Sequence, residues 1–69
     1  MAVTGSKNGV GVALRLVRLA AQMTLNDVSK AAGISYTYLS NVENGNVTPS
    51  AKWVHAVLEA IGERVEDAA

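Results

Sequence analysis

Apolar side chains follow a helical period along the segment between Gly9 and Gln22. One apolar stripe recurs every three or four residues, as one face of an α-helix requires: Val10, Leu14, Val17 and Ala21. A second stripe runs along the same segment: Val12, Leu16, Leu19 and Ala20. A helix that is apolar on more than one side is typical of the centre of a small bundle, and the alternative is an exposed patch that serves self-association.

A start signal and a stop signal enclose the next segment. Thr24 is a suitable N-cap, and Asp27, three residues later, can complete a capping box. Met23 and Val28 occupy the positions of a hydrophobic staple around that cap. Gly33 follows as a residue that readily adopts the left-handed conformation. These signals predict a short helix that ends just before Gly33.

A second short helix follows after only two residues. Ser35 is its N-cap, Leu39 and Val42 are its inward positions, and Asn44-Gly45 ends it. Two short helices joined by a tight turn that contains glycine form a helix-turn-helix pattern.

The last apolar segment predicts one longer helix. Thr48 is the predicted N-cap, and Pro49 suits the first helical position because a proline there loses no hydrogen bond. The predicted apolar face consists of Trp53, Val54, Val57, Leu58 and Ile61. Gly62 is the predicted end, and residues 63–69 form an acidic tail with at most one further turn.

These elements predict an all-α fold, a compact bundle of four to five helices. The chain has 69 residues, which suffices for one domain. No segment alternates apolar and polar residues as a strand would. We divide the chain into a flexible N-terminal arm (residues 1–8), a helix-turn-helix domain (residues 9–62) and the acidic tail (residues 63–69).

Composition excludes several classes of function. The chain has no cysteine and one histidine, so a disulfide, a catalytic thiolate or a cysteine-based zinc site is ruled out. No titratable groups form a recognisable catalytic arrangement, so we expect neither an enzyme nor a metal, cofactor or small-molecule site. No segment has the apolar length of a signal peptide or a membrane span, which predicts a cytoplasmic protein without a membrane partner.

The outward face of the second short helix is polar and uncharged. Steps of 100° per residue place these side chains there: Tyr36, Thr37, Ser40, Asn41 and Asn44. Neutral donors and acceptors suit base edges and phosphates in the major groove of DNA, whereas an ordinary solvated face usually carries Lys or Glu. A polar face without any ligand is the alternative.

A longer string of residues resembles a known family. The motif Ala32-Gly33-Ile34-Ser35 is followed by Leu39-Ser40 and by Val42-Glu43-Asn44-Gly45, and Arg18, Met23-Thr24 and Pro49-Ser50 flank it. Together they resemble the phage-repressor-like (Cro/XRE-type, lambda-repressor-like) helix-turn-helix family over roughly residues 9–62. The resemblance implies a domain that binds operator DNA, commonly as a dimer, with the second motif helix in the major groove.

The resemblance also implies which side chains read bases. They are Tyr36, Thr37, Ser40 and Asn41 of the recognition helix, about residues 35–44. Asn41 can pair bidentately with adenine N6 and N7. Thr37 can offer its methyl group to thymine or its hydroxyl to a phosphate. Tyr36 can reach a base or a phosphate, or it packs over the start of the first motif helix.

Contacts to the DNA backbone are expected from donors at helix starts and loops. The candidates are Thr24, Lys30, Ser35, Asn44, Asn46 and Lys52. Lys52 matches a family position near the backbone, and a merely solvated lysine is the alternative. Lys7 in the N-terminal arm is a further candidate for the minor groove. The net charge of the chain is zero, so DNA binding would use few cations and many neutral donors.

Two further positions carry structural expectations, and two depart from the family. Arg18 and Glu43 match a pair that the family often joins in an ion pair, so Glu43 is predicted to be structural. Leu25 replaces the glutamine that usually contacts DNA, and it would face solvent, a partner or the backbone. Ser29 replaces the usual alanine where the motif helices cross, and serine is small enough for that crossing.

The sequence therefore predicts a sequence-specific regulator of transcription that binds double-stranded operator DNA in a bacterial cytoplasm, at the nucleoid. Its size suggests a small Cro-like repressor of a phage or prophage. A homodimer would use Val12, Leu16 and Leu19 of the first helix, or Ile61 and Val65 of the last. The alternatives are an antitoxin, or a protein-interaction module that has kept the fold and lost DNA binding.

Overall fold

Four α-helices make up the computed structural model, which describes residues 9–68. They are α1 (Gly9–Ala20), α2 (Leu25–Ala32), α3 (Tyr36–Glu43) and α4 (Ala51–Ala68). The described residues contain no strand, and the predicted all-α class with four helices is confirmed. The arm predicted for residues 1–8 lies outside the described residues. None of the helices within residues 9–68 is both long and apolar enough to cross a membrane.

Side-chain caps start the two short helices where the sequence predicts them. The Thr24 hydroxyl accepts a hydrogen bond from the Asp27 backbone N–H at 3.0 Å, and the Asp27 carboxylate accepts one from the Thr24 N–H at 2.9 Å. This is the predicted capping box, and the hydrogen bond from the Thr24 backbone lowers the pKa of Asp27. The Ser35 hydroxyl accepts from the Tyr38 N–H at 3.2 Å. Local chemistry alone therefore sets both helix starts.

The first three helices end in the same backbone motif. One left-handed residue follows each helix: Gln22 (φ 59°), Gly33 (φ 68°) and Gly45 (φ 81°). The N–H of the next residue donates to the carbonyl five residues back, at 3.1, 3.0 and 2.9 Å respectively. This is the Schellman arrangement, and glycine is its usual left-handed residue. Gln22 is the one non-glycine residue with positive φ in the described part of the chain.

Gln22→Gly should stabilise the domain. A left-handed residue with a Cβ costs about 1–2 kcal/mol, while the greater freedom of glycine in the unfolded chain offsets part of that gain. We therefore expect a net gain of about 0.5–1 kcal/mol, measured by urea unfolding. Gly33→Ala is the matched reverse change, because a Cβ there meets nothing within 4 Å. It should destabilise by about 1 kcal/mol. No gain from Gln22→Gly would show that Gln22 has a compensating contact.

The bounds of α4 differ from the prediction at both ends. Ser50, not Thr48, is the N-cap, since its hydroxyl accepts from the Trp53 N–H at 3.1 Å and α4 begins at Ala51. The predicted stop at Gly62 is wrong, because α4 continues to Ala68. A glycine in a helix costs about 1 kcal/mol relative to alanine. That cost is too small to end a helix whose preceding turns are anchored in the core.

The core draws on all four helices and on the turn between α1 and α2. Its fully buried side chains are Leu14, Met23, Val28, Leu39, Val42, Val57 and Ile61. The predicted inward positions Leu39 and Val42 of α3 and the predicted staple residues Met23 and Val28 are confirmed. Leu58 was predicted to face inward, but its side chain is 41% exposed, and Ala60 takes a buried position instead.

The buried face of α1 matches neither apolar stripe as a whole. Leu14 is buried and Ala21 packs against the core, but Val10 and Val17 are exposed, and Gly11 and Arg18 take the other inward positions. Apolar spacing did not indicate these two positions because a glycine and an arginine occupy them. Gly11 and Arg18 each contact residues of α3. The spacing of apolar residues along α1 cannot reveal such contacts, because they depend on a different segment of the chain.

Gly11 lies where α1 crosses the C-terminal end of α3. A Cβ at this position would overlap the carbonyl oxygen of Val42 and lie 3.1 Å from that of Glu43. Only a residue without a side chain allows the two backbones to approach this closely. The approach places Arg18, two turns further along α1, beside the end of α3.

Candidate nucleic-acid interface

The turn between α2 and α3 sets the direction of α3. Gly33 reverses the chain in the left-handed conformation, Ile34 packs half-buried against the core, and Ser35 caps α3. One residue supplies the bend, one the anchor and one the cap. The three together hold α3 across α2, as a helix-turn-helix motif requires.

Three side chains fasten α3 to the core. Leu39 is 1% exposed and Val42 is 0% exposed, and Tyr38 is half-buried against them. The Tyr38 ring meets the Trp53 ring of α4 edge to face, with centroids 5.1 Å apart and an interplanar angle of 74°. This contact ties the start of α4 to α3. The sequence placed Trp53 on the apolar face of the last helix but did not indicate its contact with Tyr38.

The opposite side of α3 carries the predicted base-reading residues. We call it the polar face of α3, and its members are Tyr36, Thr37, Ser40, Asn41 and Asn44. Tyr36, Thr37 and Asn44 are exposed, while Ser40 and Asn41 are half-buried. The structure thus brings all five onto one side of the helix, and none of them is charged. Tyr36 is 50% exposed, so its ring does not pack away into the fold.

The acid of α3 is removed from this face by an ion pair. Arg18 donates through Nε to Glu43 Oε2 at 2.8 Å and through Nη2 to Oε1 at 2.9 Å. A third N–H, on Nη1, donates to the Met23 carbonyl at 3.0 Å. Both side chains are nearly buried, and the hydrogen bonds that Arg18 donates to the Glu43 carboxylate raise the pKa of Arg18. The predicted pair is therefore assembled, and it leaves α3 with no free charge.

The predicted phosphate donors lie along several elements. Thr24 and Ser35 are the N-caps of α2 and α3, and their hydroxyls already accept from the Asp27 and Tyr38 N–H groups, so the other first-turn amides are the donors left for a ligand. Lys30 on α2, Asn46 after α3 and Lys52 in the first turn of α4 are exposed. The positive partial charge of a helix N-terminus suits an anion at α3, whereas at α2 the Asp27 carboxylate of the capping box already occupies that end. The arrangement is a set of neutral donors with two exposed lysines.

Two departures from the family pattern have structural roles. Leu25 is half-buried and packs against the core, so it does not face solvent. Ser29 is 7% exposed, and its hydroxyl donates to the Asn26 carbonyl at 3.1 Å. At the start of α2, Leu25 therefore packs against the core where the family pattern has a polar side chain. Ser29 is small enough for the two helices to cross, and its hydroxyl has a hydrogen-bond partner.

Comparison with known proteins decides the family. A helix-turn-helix domain model matches residues 10–69, nearly the whole chain. The chain belongs to the helix-turn-helix domain family. This agrees with the resemblance indicated by the Gly-Ile-Ser and Glu-Asn-Gly motifs.

The relatives are regulators of one kind. The chain is 38% identical over 52 residues to the transcriptional regulator ClgR of Mycobacterium tuberculosis, in strains CDC 1551 and H37Rv. That match covers 75% of this chain and 46% of the relative, so the chain spans about half the length of these curated proteins. The crystal structure of the clp gene regulator ClgR from C. glutamicum superposes with a TM-score of 0.76 at 29% identity, covering 90% of this chain and 85% of that one.

Proposed function

We propose that this domain binds double-stranded DNA sequence-specifically and regulates transcription, with the polar face of α3 in the major groove. One observation carries the proposal: α3 presents a continuous uncharged polar face because Arg18 sequesters its glutamate. A free carboxylate on this face would repel the phosphates, whereas neutral donors and acceptors can meet base edges. The relatives, which are named transcriptional regulators, support the same role.

The roles of the individual residues follow from their positions. By steps of 100° per residue, Thr37, Ser40 and Asn44 lie near the centre of the polar face, with Tyr36 and Asn41 at its edges. We assign base contacts to Tyr36, Thr37, Ser40 and Asn41, of which Asn41 suits adenine. The N-caps Thr24 and Ser35 place first-turn amides toward phosphates, together with Lys30, Asn44, Asn46 and Lys52. Repression of an operator by a small Cro-like protein is the specific form of this proposal.

The first experiment is a selection of the pure protein on a random duplex pool at about 0.15 M salt, read by sequencing. We expect an enriched motif, and a near-palindrome would indicate two copies on one site. Absence of any enrichment by a folded protein would contradict DNA binding. It would favour the antitoxin or protein-interaction alternatives.

Asn41→Ala should change the preferred sequence at one base position. Loss of a bidentate contact reduces discrimination there by about 1–3 kcal/mol, with other positions unaffected. The measurement is repetition of the selection with the variant, after circular dichroism has shown an unchanged fold. An unchanged preferred sequence would show that Asn41 does not read a base.

Lys52→Ala is the complementary change, because a phosphate contact carries no sequence information. It should weaken binding equally on all duplexes and make the slope of log K against log salt less steep by about one. The two exposed lysines predict a slope of only about −2 per protomer in the wild type. Lys52→Arg, which keeps the charge, is the control and should retain that slope. A slope that Lys52→Ala leaves unchanged would remove Lys52 from the interface.

A further inference from the structure

Asn44 and Gly45 form an asparagine–glycine pair at the end of α3. The Asn44 side chain is exposed and belongs to the polar face of α3, and its backbone is the C-cap of that helix. The proposed function uses Asn44 only as a neutral donor to a phosphate. The pair has a further chemistry, because glycine has no side chain to keep its own backbone nitrogen away from the amide of a preceding asparagine.

We propose that Asn44 is a site of spontaneous deamidation, and that the product ends DNA binding because it places a carboxylate on the polar face of α3. The loss of DNA binding rests on the proposed function, whereas the deamidation is measured without DNA. This face is neutral because Arg18 holds the Glu43 carboxylate. Deamidation of the next residue along the chain returns a negative charge to the same end of the helix.

The reaction needs water as its one co-reactant. The backbone nitrogen of Gly45 attacks Cγ of Asn44, so that an N–Cγ bond forms and the Cγ–Nδ2 bond breaks. Ammonia leaves and carries with it the proton of the Gly45 N–H. Water then adds to one of the two carbonyl carbons of the resulting five-membered imide and reopens the ring. The products are aspartate, with the original main chain, and isoaspartate, whose main chain runs through the former side chain.

The folded end of α3 holds the reacting groups apart. Because ψ of Asn44 is −1°, the Gly45 nitrogen eclipses the Asn44 nitrogen instead of Cβ, and the five-membered ring cannot close. The Gly45 N–H also donates to the Val42 carbonyl at 3.0 Å. The next N–H, of Asn46, donates to the Asn41 carbonyl at 2.9 Å and completes the Schellman motif. The reaction therefore requires the turn after α3 to open.

Local opening of this turn costs less than unfolding of the domain. Asn44 and Asn46 are exposed, and turns at a surface open with a smaller free energy than core segments. The nearly buried pair of Glu43 with Arg18 immediately precedes the turn, so it confines the opening to the residues that follow. We expect the folded chain to deamidate at Asn44 about 10–100-fold more slowly than the chain unfolded in urea.

The two products change the end of α3 in different ways. Aspartate places a full negative charge where the helix C-terminus already carries a negative partial charge, and on the face assigned to DNA. Isoaspartate lengthens the main chain inside the Schellman motif, so the hydrogen bonds of Gly45 and Asn46 lose their present geometry. Each product should weaken DNA binding at least about tenfold, since a carboxylate opposes the phosphates.

The other asparagines of the chain are internal references. Asn41 and Asn46 each precede a valine, whose branched side chain hinders attack by its nitrogen. Asn8 precedes a glycine as Asn44 does, and it lies outside the described residues. Trypsin cleaves after lysine and arginine, so Asn8 and Asn44 fall in different peptides, whereas Asn41, Asn44 and Asn46 share one.

The first test is incubation of the full chain at mildly alkaline pH, both folded and in urea, followed by tryptic peptide mapping with mass spectrometry. We expect aspartate and isoaspartate to accumulate at residue 44 in both samples, more slowly in the folded one, while Asn41 and Asn46 remain amides. Conversion at Asn44 no faster than at Asn46 in urea, or none in the folded chain, would overturn the modification site. Equal rates in the two samples would overturn its control by the turn after α3.

The second test measures DNA binding on the duplex that the selection enriches. All chains carry Asn8→Gln, so that Asn44 is the one asparagine of the chain that precedes a glycine. The aged chain should lose affinity as residue 44 is converted. Asn44→Gln keeps a neutral amide but would have to form a six-membered ring, so after ageing it should retain the affinity that it had before. An aged parent chain that binds as before, despite conversion, would overturn the loss of function.

Asn44→Asp reproduces one product without ageing and should bind at least about tenfold more weakly. Gln22→Glu is the matched control, because it also converts an exposed amide to an acid but lies at the end of α1, away from the polar face of α3. It should leave the affinity unchanged. Equal affinities of these two variants would contradict the role of the charge. An unaged chain that binds no duplex would contradict the proposed function itself, while peptide mapping would still decide the deamidation.

Discussion

Gly11→Ala should destabilise the domain by about 2–4 kcal/mol, even though alanine is the better helix former. Helix propensity alone would favour the change by about 1 kcal/mol. The added methyl group, however, would overlap the Val42 carbonyl oxygen, which is part of the backbone. Relief requires α1 and α3 to separate, and Val42, which is 0% exposed, would then lose its packing.

The expected loss is a large part of the total stability. A domain of 69 residues has a free energy of unfolding of roughly 3–10 kcal/mol at ordinary values per residue. Gly11→Ala should therefore lower the melting temperature by many degrees or leave the chain unfolded, as measured by circular dichroism. Gly62→Ala is the matched control, since that glycine is inside α4 and an added methyl group would meet nothing within 4 Å. It should stabilise by about 0.5–1 kcal/mol. Equal gains at both positions would show that the helix crossing is not tight.

Glu43→Ala should destabilise the domain by about 3–5 kcal/mol. The change leaves the Arg18 guanidinium nearly buried, with the two N–H groups that donate to Glu43 no longer satisfied. Only the hydrogen bond to the Met23 carbonyl would remain. The measurement is urea unfolding of the variant against the wild type.

Two further variants distinguish the loss of the buried ion pair between Arg18 and Glu43 from the loss of a carboxylate in general. Arg18→Met combined with Glu43→Leu should recover most of the lost stability, because replacing both members of a buried pair by apolar residues is often neutral. Glu59→Ala breaks the exposed pair with His55 and should change the stability by less than about 0.5 kcal/mol. A Glu43→Ala variant as stable as the Glu59→Ala control would show that the pair with Arg18 adds no stability.

The same pair links stability to the proposed function. Glu43 is the last residue of α3, and Arg18 holds it against α1 while also binding the end of the α1–α2 turn. Loss of the pair would release the end of the recognition helix and return a carboxylate to its surface. We therefore assign to Arg18 and Glu43 the positioning of α3 and the neutrality of its polar face.

Much of the motif could be predicted from the sequence because its signals are local. Thr24 with Asp27 and Ser35 act within one helical turn, and Gly33 meets a backbone requirement at a single residue. The inward positions Leu39 and Val42 follow from helical spacing in a helix with one apolar side. The ion pair of Arg18 with Glu43 depended on the family resemblance, because the two residues are far apart in the chain.

Only the tertiary structure decided the features that depend on contacts between distant segments. The sequence by itself determined the all-α class, the helix-turn-helix motif and the side of α3 that faces outward. It did not show that Gly11 and Arg18 face inward on α1, because both owe their burial to atoms of α3. It placed the end of the last helix at Gly62, whereas packing of Val57 and Ile61 carries α4 beyond that glycine. Caps and periodicity are properties of a short segment, but burial and close approach are properties of two segments that meet.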